Sequence, residues 1–290
     1  MHRIQRSLLI SLIISSLIAL LINGLPSLSV FAQSEEITAP QSEGSTITLA
    51  QAVNLNRPFQ ELGIEGSILI YDRDGKQFYE HNSERNSVAF SPASTFKIFN
   101  SLVSLETGVI RDDVAVLTWD GIERDFPAWN RDTNLRQAFK DSTVWFYQVL
   151  ARKVGYERMQ NWINQVGYGN RQIGTPEQID RFWLTQPLQI TPKQQIEFLQ
   201  RLDRGDLPFS QRTMDLVKDI MIFERTPNYT LRAKTGWSTS TTPKIGWFVG
   251  YLEQNDNTYF FATNIVMPTI NEAAKRIEVT RRCLKTLGLL

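Results

Sequence analysis

A serine and a lysine three residues apart, Ser94 and Lys97, are the side chains of this sequence best placed to carry chemistry. Pro92 and Gly108 are typical of the start and the end of a helix, and apolar residues recur at helical spacing between them. Positions i and i+3 share a helix face, so we expect the amine beside the hydroxyl. The N-terminal end of a helix also favours a developing anion. The pattern therefore predicts an activated serine nucleophile.

A Ser-x-x-Lys pattern alone is weak evidence, because such short patterns recur by chance on solvated helix faces. A hydroxyl nucleophile also needs a base within hydrogen-bond reach. The usual base is histidine, and the chain has only His2 and His81, which argues against a Ser-His-Asp triad.

Lys97 must then accept the proton of the serine, although a free lysine with a pKa near ~10.4 is protonated at pH 7. Apolar surroundings lower such a pKa. The residues expected to supply them are Phe96, Val144, Trp183 and Leu184.

Strand patterns at both ends of the chain flank a helical middle. The strands are predicted at 66–71, 76–80, 230–234, 244–252 and 258–266. The helices are predicted at 135–139, 144–153, 157–165, 192–202, 211–223 and 271–287. This order predicts an α/β (α+β) fold, in which both chain ends build one antiparallel sheet flanked by helices. A mainly helical lobe over about 90–225 would complete the domain, with a cleft where sheet and lobe meet.

The first 32 residues predict a secretory signal peptide. Arg3 and Arg6 precede an apolar run over 8–22, and Ala32 ends a plausible cleavage site. An uncleaved membrane anchor is the alternative, although the run is shorter than the ~20 residues that span a bilayer. Residues 33–54 are predicted to be a lead-in or linker, and 55–290 the catalytic domain. We therefore expect a secreted or periplasmic protein that leaves the membrane after cleavage.

Composition limits the partners. The sequence is 42% hydrophobic and 21% charged, as is ordinary for a globular protein. Removing residues 1–32 takes away two of the 31 Lys and Arg and none of the 30 Asp and Glu, which leaves 29 against 30. This near-neutral chain argues against nucleic acid as a partner. Two histidines and no Cys-x-x-Cys pattern predict no metal site. The single cysteine, Cys283, is expected to be buried.

Further polar clusters follow Ser94-Thr95-Phe96-Lys97 in a fixed order: Ser142-Thr143-Val144, Tyr168-Gly169-Asn170 and Lys234-Thr235-Gly236-Trp237. With these four motifs, residues 60–290 resemble the serine β-lactamase and penicillin-binding protein superfamily, and within it class D, the oxacillinase type. Flanking stretches agree, namely Phe182-Trp183-Leu184, Leu188-Gln189-Ile190-Thr191 and Gly246-Trp247-Phe248-Val249-Gly250. The chain departs from the family pattern at Thr191, where serine is frequent, and at Phe99, where proline is frequent.

The resemblance implies hydrolysis of β-lactam antibiotics through an acyl-enzyme on Ser94. It implies that Lys97 reacts with carbon dioxide to give an N6-carboxylated lysine, the general base for acylation and deacylation, with no other cofactor. Trp183 would hold the carbamate through its indole N–H, the alternative being a core tryptophan. Ser142 would relay a proton to the leaving nitrogen, and it is also a candidate N-cap for the helix near Val144.

The residues expected to bind the β-lactam are Val144, Lys234, Thr235, Gly236, Trp237 and Arg276. A cation and a hydroxyl on an edge strand suit the substrate carboxylate, and glycine lets a ligand approach the backbone there. The backbone N–H groups of Ser94 and Trp237 would form an oxyanion hole. Tyr168 and Asn170, in a glycine-containing turn, are expected to shape the edge of the cleft.

Two other functions share these motifs. One is a β-lactam sensor domain that stays acylated, although such receptors need a large transmembrane portion. The other is a D,D-peptidase, against which the Tyr168 turn and the Trp183 segment argue, because both match class D. Selectivity among β-lactams would depend on loops near Trp129 and after Trp237, and the sequence leaves both a monomer and a homodimer open.

Overall fold

The computed structural model describes residues 53–185 and 187–290. The predicted signal peptide and most of the predicted linker lie outside these residues and stay predictions. None of the helices within the described residues has the length and apolar character needed to cross a membrane.

The frame of the molecule is a six-stranded antiparallel sheet built from both ends of the described chain. In chain order, the strands are β1 (Gly66–Asp72), β2 (Gln77–His81), β3 (Val116–Leu117), β4 (Thr133–Asn134), β5 (Ile222–Arg225), β6 (Thr230–Ser238), β7 (Ile245–Gln254) and β8 (Asn257–Val266). Six of them form the sheet in the order β2-β1-β8-β7-β6-β5, and β3 pairs with β4 separately. The predicted sheet is therefore confirmed, whereas the small β3–β4 ladder was not anticipated from the sequence.

Nine α-helices accompany the strands in the described part of the chain. They are α1 (Asn56–Leu62), α2 (Ser83–Asn86), α3 (Lys97–Glu106), α4 (Leu135–Lys140), α5 (Val144–Val154), α6 (Tyr156–Val166), α7 (Pro192–Arg204), α8 (Gln211–Ile220) and α9 (Ala273–Thr286). The predicted helices correspond to α4 to α9, and the nucleophile segment to a 3₁₀ turn followed by α3. The order of elements therefore matches the expected α+β arrangement.

Local sequence explains where α7 begins and ends. Thr191 and Gln194 form a reciprocal capping box, in which each side chain accepts a hydrogen bond from the other's backbone N–H. Pro192 occupies the first turn, where its missing N–H is not needed. Gly205 ends the helix in the left-handed region, with φ of 75°. These local signals fix both ends of α7.

The sheet separates two hydrophobic cores, because side chains of a strand alternate between its faces. Ile68 and Ile70 of β1 point to the face covered by α1 and α9, where Phe59 and Cys283 are buried. Leu69, between them, belongs to the larger core shared with the helical region. Cys283 is fully buried, as expected, and burial raises the pKa of its thiol to about 12.

The predicted helix over 211–223 is wrong in its last residues. The helix α8 ends at Ile220, and Ile222–Arg225 form β5, an edge strand. Its residues alternate between half-buried and exposed, and Ile222 pairs with Arg232 of β6. Tertiary pairing with a neighbouring strand thus outweighs the helical periodicity that the sequence carries through this stretch.

The strand β6 is longer than predicted and is not the edge of the sheet. It runs to Ser238, with β7 on one side along its whole length. On its other side, β5 pairs only with Thr230 to Arg232. The stretch from Lys234 onward therefore has one side without a strand partner, which is where a ligand can lie against the backbone.

Candidate active site

The serine and lysine predicted to cooperate are in direct contact. Ala93–Phe96 form one turn of 3₁₀ helix that leads into α3, which begins at Lys97. Side chains at i and i+3 eclipse one another in a 3₁₀ turn. The Nζ atom of Lys97 accordingly donates to Ser94 Oγ at 2.8 Å. The one difference from the sequence prediction is that the first turn is 3₁₀ and not α-helical.

Lys97 is fully buried, which is rare for a lysine. Burial lowers its pKa to about 7, because a low-dielectric environment disfavours the ammonium form. Its Nζ atom lies 5.2 Å from the centroid of the Tyr147 ring. Neutral Lys97 amines are therefore present at neutral pH, and a neutral amine can accept a proton or react as a nucleophile.

Ser142 meets the second lysine of the site. Its Oγ accepts a hydrogen bond from Lys234 Nζ at 3.1 Å. Its backbone has φ of 58°, a left-handed conformation that costs a non-glycine residue about 1–3 kcal/mol. The N-cap alternative is wrong, since α5 begins at Val144 with Thr143 at the N-cap position. The strained backbone instead turns the Ser142 hydroxyl toward Lys234.

Lys234 lies on β6, is 3% exposed and does not line the cleft that contains the two serines. Its Nζ also donates to the Thr235 carbonyl at 3.0 Å. Burial holds its pKa well below the usual value, and repulsion from Lys97 and Arg276 lowers it further. Three basic groups thus share one buried region. Because Asp141, the one acid among the described cleft residues, is paired with Arg131, the region has an excess of positive charge.

Both serines and five of the six predicted binding residues, all except Lys234, line a single cleft of about 510 Å³. Arg276 reaches it from α9, only 8% exposed, and donates from Nη1 to the Gly236 carbonyl at 2.9 Å. Burial lowers the pKa of Arg276 to about 10, so it stays a cation at neutral pH. The predicted residues that the structure brings to this cleft are Ser94, Ser142, Val144, Thr235, Gly236, Trp237 and Arg276.

Gly236 lets β6 lie directly against the nucleophile turn. A Cβ atom at this position would stand 3.1 Å from the Pro92 carbonyl oxygen and 3.2 Å from Cγ2 of Thr95. Both distances are tighter than ordinary van der Waals contact, so a larger residue would push the strand away from Ser94. The indole of Trp237, the next residue, donates to the Met267 carbonyl at 2.9 Å and holds the strand on its other side.

Trp183 is buried behind the serine, outside the cleft lining. Its ring stacks on Phe96, the residue before Lys97, with 5.4 Å between centroids. Its indole Nε1 is buried without a hydrogen-bond partner among the described residues. A core tryptophan usually satisfies this donor, so the Trp183 N–H is an exception among buried indoles.

Tyr168 and Asn170 do not line the cleft, which corrects their expected position at its edge. Tyr168 is 2% exposed, and its ring packs against Phe96 and Phe99. Asn170 donates to the Pro187 carbonyl at 2.9 Å and accepts from the Gln189 backbone at 3.1 Å. Asn170 thus braces the segment that follows Trp183, and any influence of these two residues on the cleft is indirect.

Several cleft residues were not identified as site residues from the sequence. Phe126 and Ile270 are unusually exposed apolar side chains, at 40% and 42%, and both face the cleft with Leu184 and Trp129. Their loops carry no hydrophobic periodicity. The only sequence feature that could have identified these residues is an apolar side chain within a polar loop. Lys140 and Thr239 complete the lining.

The residues considered for other chemistries lie elsewhere or do not cluster. His81, in β2, hydrogen-bonds Asn56 and stacks on Phe59, and it does not line the cleft. Within the described residues, no three His, Cys, Asp or Glu side chains group together as a metal site. The absence of a metal requirement stays a prediction.

Comparisons with known proteins show the family of this chain. A family model described as penicillin binding protein transpeptidase domain matches residues 66–285. The β-lactamase OXA-48 of Klebsiella pneumoniae is 42% identical over 230 residues, which cover 79% of this chain and 86% of that protein. A class D β-lactamase structure from Nostoc has a TM-score of 0.81 and 76% identity, with 82% of this chain and 99% of that one covered. Another, from Fusobacterium nucleatum, has a TM-score of 0.79 and 38% identity, with 81% and 98% covered.

Proposed function

Since this chain belongs to the class D serine β-lactamases and is a β-lactam hydrolase, we propose that it works through an acyl-enzyme on Ser94, with a carboxylated Lys97 as general base. The observation that carries the proposal is the contact of 2.8 Å between Ser94 Oγ and the Nζ atom of a fully buried lysine. A lysine whose pKa is lowered to about 7 is available as a neutral amine under physiological conditions.

The surroundings of Lys97 fit a carboxylated side chain. The unpartnered Nε1 of Trp183 is a buried donor that would hold a carbamate oxygen. A negative charge at Lys97 would also turn its repulsion of Lys234 into attraction. When present, the carbamate supplies a general base for Ser94. The unmodified Lys97 amine, which already donates a hydrogen bond to Ser94, is a poorer base.

The serines divide the proton work of acylation. Ser94 Oγ forms a bond to the lactam carbonyl carbon and loses its proton toward the side chain of Lys97. As the ring C–N bond breaks, the nitrogen takes a proton from Ser142 Oγ, a hydroxyl on the cleft wall. Lys234 Nζ donates to Ser142 Oγ at 3.1 Å, so it orients that hydroxyl and returns a proton to it, which the lowered pKa of Lys234 favours.

The substrate carboxylate would lie against Thr235 and Arg276, with Lys234 adding positive charge beneath them. Replacing Arg276 with glutamine is expected to raise the KM for a penicillin roughly 10- to 100-fold with a small effect on kcat, because a charged hydrogen bond is worth about 1.5–3 kcal/mol. Steady-state kinetics would measure both constants. The methyl ester of the same penicillin lacks the charge and serves as control. An equal loss for acid and ester would contradict this role.

Replacing Trp183 with phenylalanine tests the predicted hold on the carbamate. This change keeps the aromatic packing on Phe96 but removes the indole N–H, so we expect roughly 10- to 100-fold lower turnover at low carbon dioxide. Added bicarbonate is expected to restore much of the loss by mass action. Trp247→Phe is the matched control, since it removes a buried indole N–H that donates to the Ser91 carbonyl at 3.0 Å. An identical bicarbonate response in both variants would argue against Trp183.

Time courses with a chromogenic cephalosporin and with oxacillin test the whole proposal. Sustained turnover, together with a transient adduct on the peptide containing Ser94 in mass spectrometry, is the expected result. A burst of about one equivalent that then stops would instead indicate a sensor or a peptidase that stays acylated. Turnover without any adduct on Ser94 would refute the acyl-enzyme.

We further propose that the protein acts outside the cytoplasm, where it would meet antibiotics before they reach their targets. The support is the basic and apolar pattern of residues 1–32.

A further inference from the structure

We infer that Gln195 is a positioning residue for the nucleophile: its buried side chain acts through Thr95 to hold the turn that presents Ser94. The inference rests on the proposed role of Ser94. Gln195 lies on α7, 101 positions after Ser94 in the chain, and is 0% exposed. None of the motifs used to interpret the sequence includes it.

The turn before the nucleophile is strained and needs support. Ala93 has φ of 48°, in the left-handed region, which a residue with a Cβ adopts at a cost of about 1–3 kcal/mol. Such a conformation persists only where surrounding contacts enforce it. Within the turn, the Pro92 carbonyl accepts two hydrogen bonds from Thr95, from its backbone N at 3.1 Å and from Oγ1 at 2.7 Å. These two bonds close the turn around Ala93 and Ser94.

The hydrogen bond from Gln195 determines the direction in which the Thr95 hydroxyl donates its proton. Nε2 of Gln195 donates to Thr95 Oγ1 at 2.8 Å. Because the amide nitrogen can only donate and the Pro92 carbonyl can only accept, the Thr95 hydroxyl must send its single proton to Pro92. With the amide reversed, its oxygen would compete for that proton and weaken the bond to Pro92. The orientation of Gln195 therefore controls the closure of the turn.

Tyr168 can fix that orientation. Its hydroxyl and Oε1 of Gln195 are both buried, and neither makes a well-aligned hydrogen bond with the described residues. Burial raises the pKa of the Tyr168 phenol, and the polar side chains of Thr95 and Gln195 beside it lower that pKa by a smaller amount. A phenol that keeps its proton is a donor, so it suits Oε1 and directs Nε2 toward Thr95. This accounts for a tyrosine buried beside the nucleophile turn and outside the cleft.

The test compares acylation rates of the whole protein with Gln195→Met, which keeps length and apolar volume but removes both polar atoms. Stopped-flow measurement with a chromogenic cephalosporin separates the acylation rate constant from the dissociation constant of the preceding complex. We expect acylation to slow roughly 10- to 100-fold, because small displacements of a nucleophile have such effects. The dissociation constant is expected to stay within about twofold, since Arg276 and Thr235 are untouched.

Two further comparisons separate positioning from general loss of stability. Ile196→Val alters the neighbouring buried residue of α7 and is expected to lower thermal stability without slowing acylation. Thr95→Val removes the intermediary hydroxyl and is expected to slow acylation, whereas Thr95→Ser retains the hydroxyl and is expected to restore it. If Gln195→Met does not fold, the acylation rates of Thr95→Val and Thr95→Ser test the inference in its place.

Acylation by folded Gln195→Met within about twofold of wild type, or slowed no more than in Ile196→Val, would overturn the inference. Equal acylation by Thr95→Val and Thr95→Ser would do the same. Failure of the proposed function has a different signature, because the wild-type protein itself would then form no adduct on Ser94.

Discussion

Replacing Ser94 with alanine is expected to lower the kcat of β-lactam hydrolysis by at least about 10⁴-fold, since removal of a catalytic nucleophile has effects of this order or more. The remaining site can still bind the substrate carboxylate, so the variant is expected to retain binding while it forms no covalent adduct. Steady-state hydrolysis of a chromogenic cephalosporin and intact-protein mass spectrometry after incubation with oxacillin measure the two effects.

Ser104→Ala is a matched control for this variant. Ser104 lies on α3, the helix that follows the Ser94 turn, and is fully buried; its Oγ donates to Asn100 Oδ1 at 2.9 Å. Its loss is expected to lower stability by about 1 kcal/mol while turnover stays near wild type. Hydrolysis by Ser94→Ala above about one hundredth of the wild-type rate would rule out Ser94 as nucleophile.

Replacing Lys97 with methionine is expected to reduce turnover by about 10²–10⁴-fold, the usual contribution of a general base. Methionine fills a similar volume without a titratable group, so the loss reflects the missing base more than a cavity. The response of turnover to added bicarbonate is expected to disappear with it. A Lys97→Met protein that still responds to bicarbonate would place the carbon dioxide effect at another group.

The lowered pKa of Lys97 also predicts a pH dependence. Only the neutral amine reacts with carbon dioxide, so at limiting bicarbonate the activity is expected to rise as pH increases through about 7. Lysine in the unfolded chain keeps its proton until about pH 10.4. Below pH 7 the folded protein therefore bears the full cost of a buried cation, and this cost disappears as pH rises from 7 toward 10.4.

Stability measurements without bicarbonate test the same burial. Lys97→Met is expected to be about 2–4 kcal/mol more stable than wild type at pH 6, with the difference shrinking as pH rises to 10. Chemical denaturation at a series of pH values measures it. Lys153→Met, at an exposed lysine of α5, is expected to show no such trend. A pH-independent difference for Lys97→Met would mean that the lysine is not buried as a cation in the folded protein.

The sequence by itself was enough to identify the family and its β-lactam hydrolase activity, because the family is marked by short motifs on regular elements. Three-residue spacing put Ser94 beside Lys97, and period-two and helical patterns predicted a sheet from both chain ends around a helical middle. Where local patterns competed with long-range pairing, as at Ile222–Arg225, the sequence interpretation gave a helix and the structure has a strand. Periodicity reports local preference, whereas strand pairing depends on residues elsewhere in the chain.

Only the tertiary structure decided what surrounds the reacting groups. The burial that lowers the pKa of Lys97, the unpartnered indole N–H of Trp183 and the contact of Lys234 with Ser142 join segments far apart in the chain. Tyr168 lies in the core and not at the cleft edge because its ring packs against Phe96. Burial and electrostatics are properties of the assembled fold, and no local pattern encodes which distant side chains will meet.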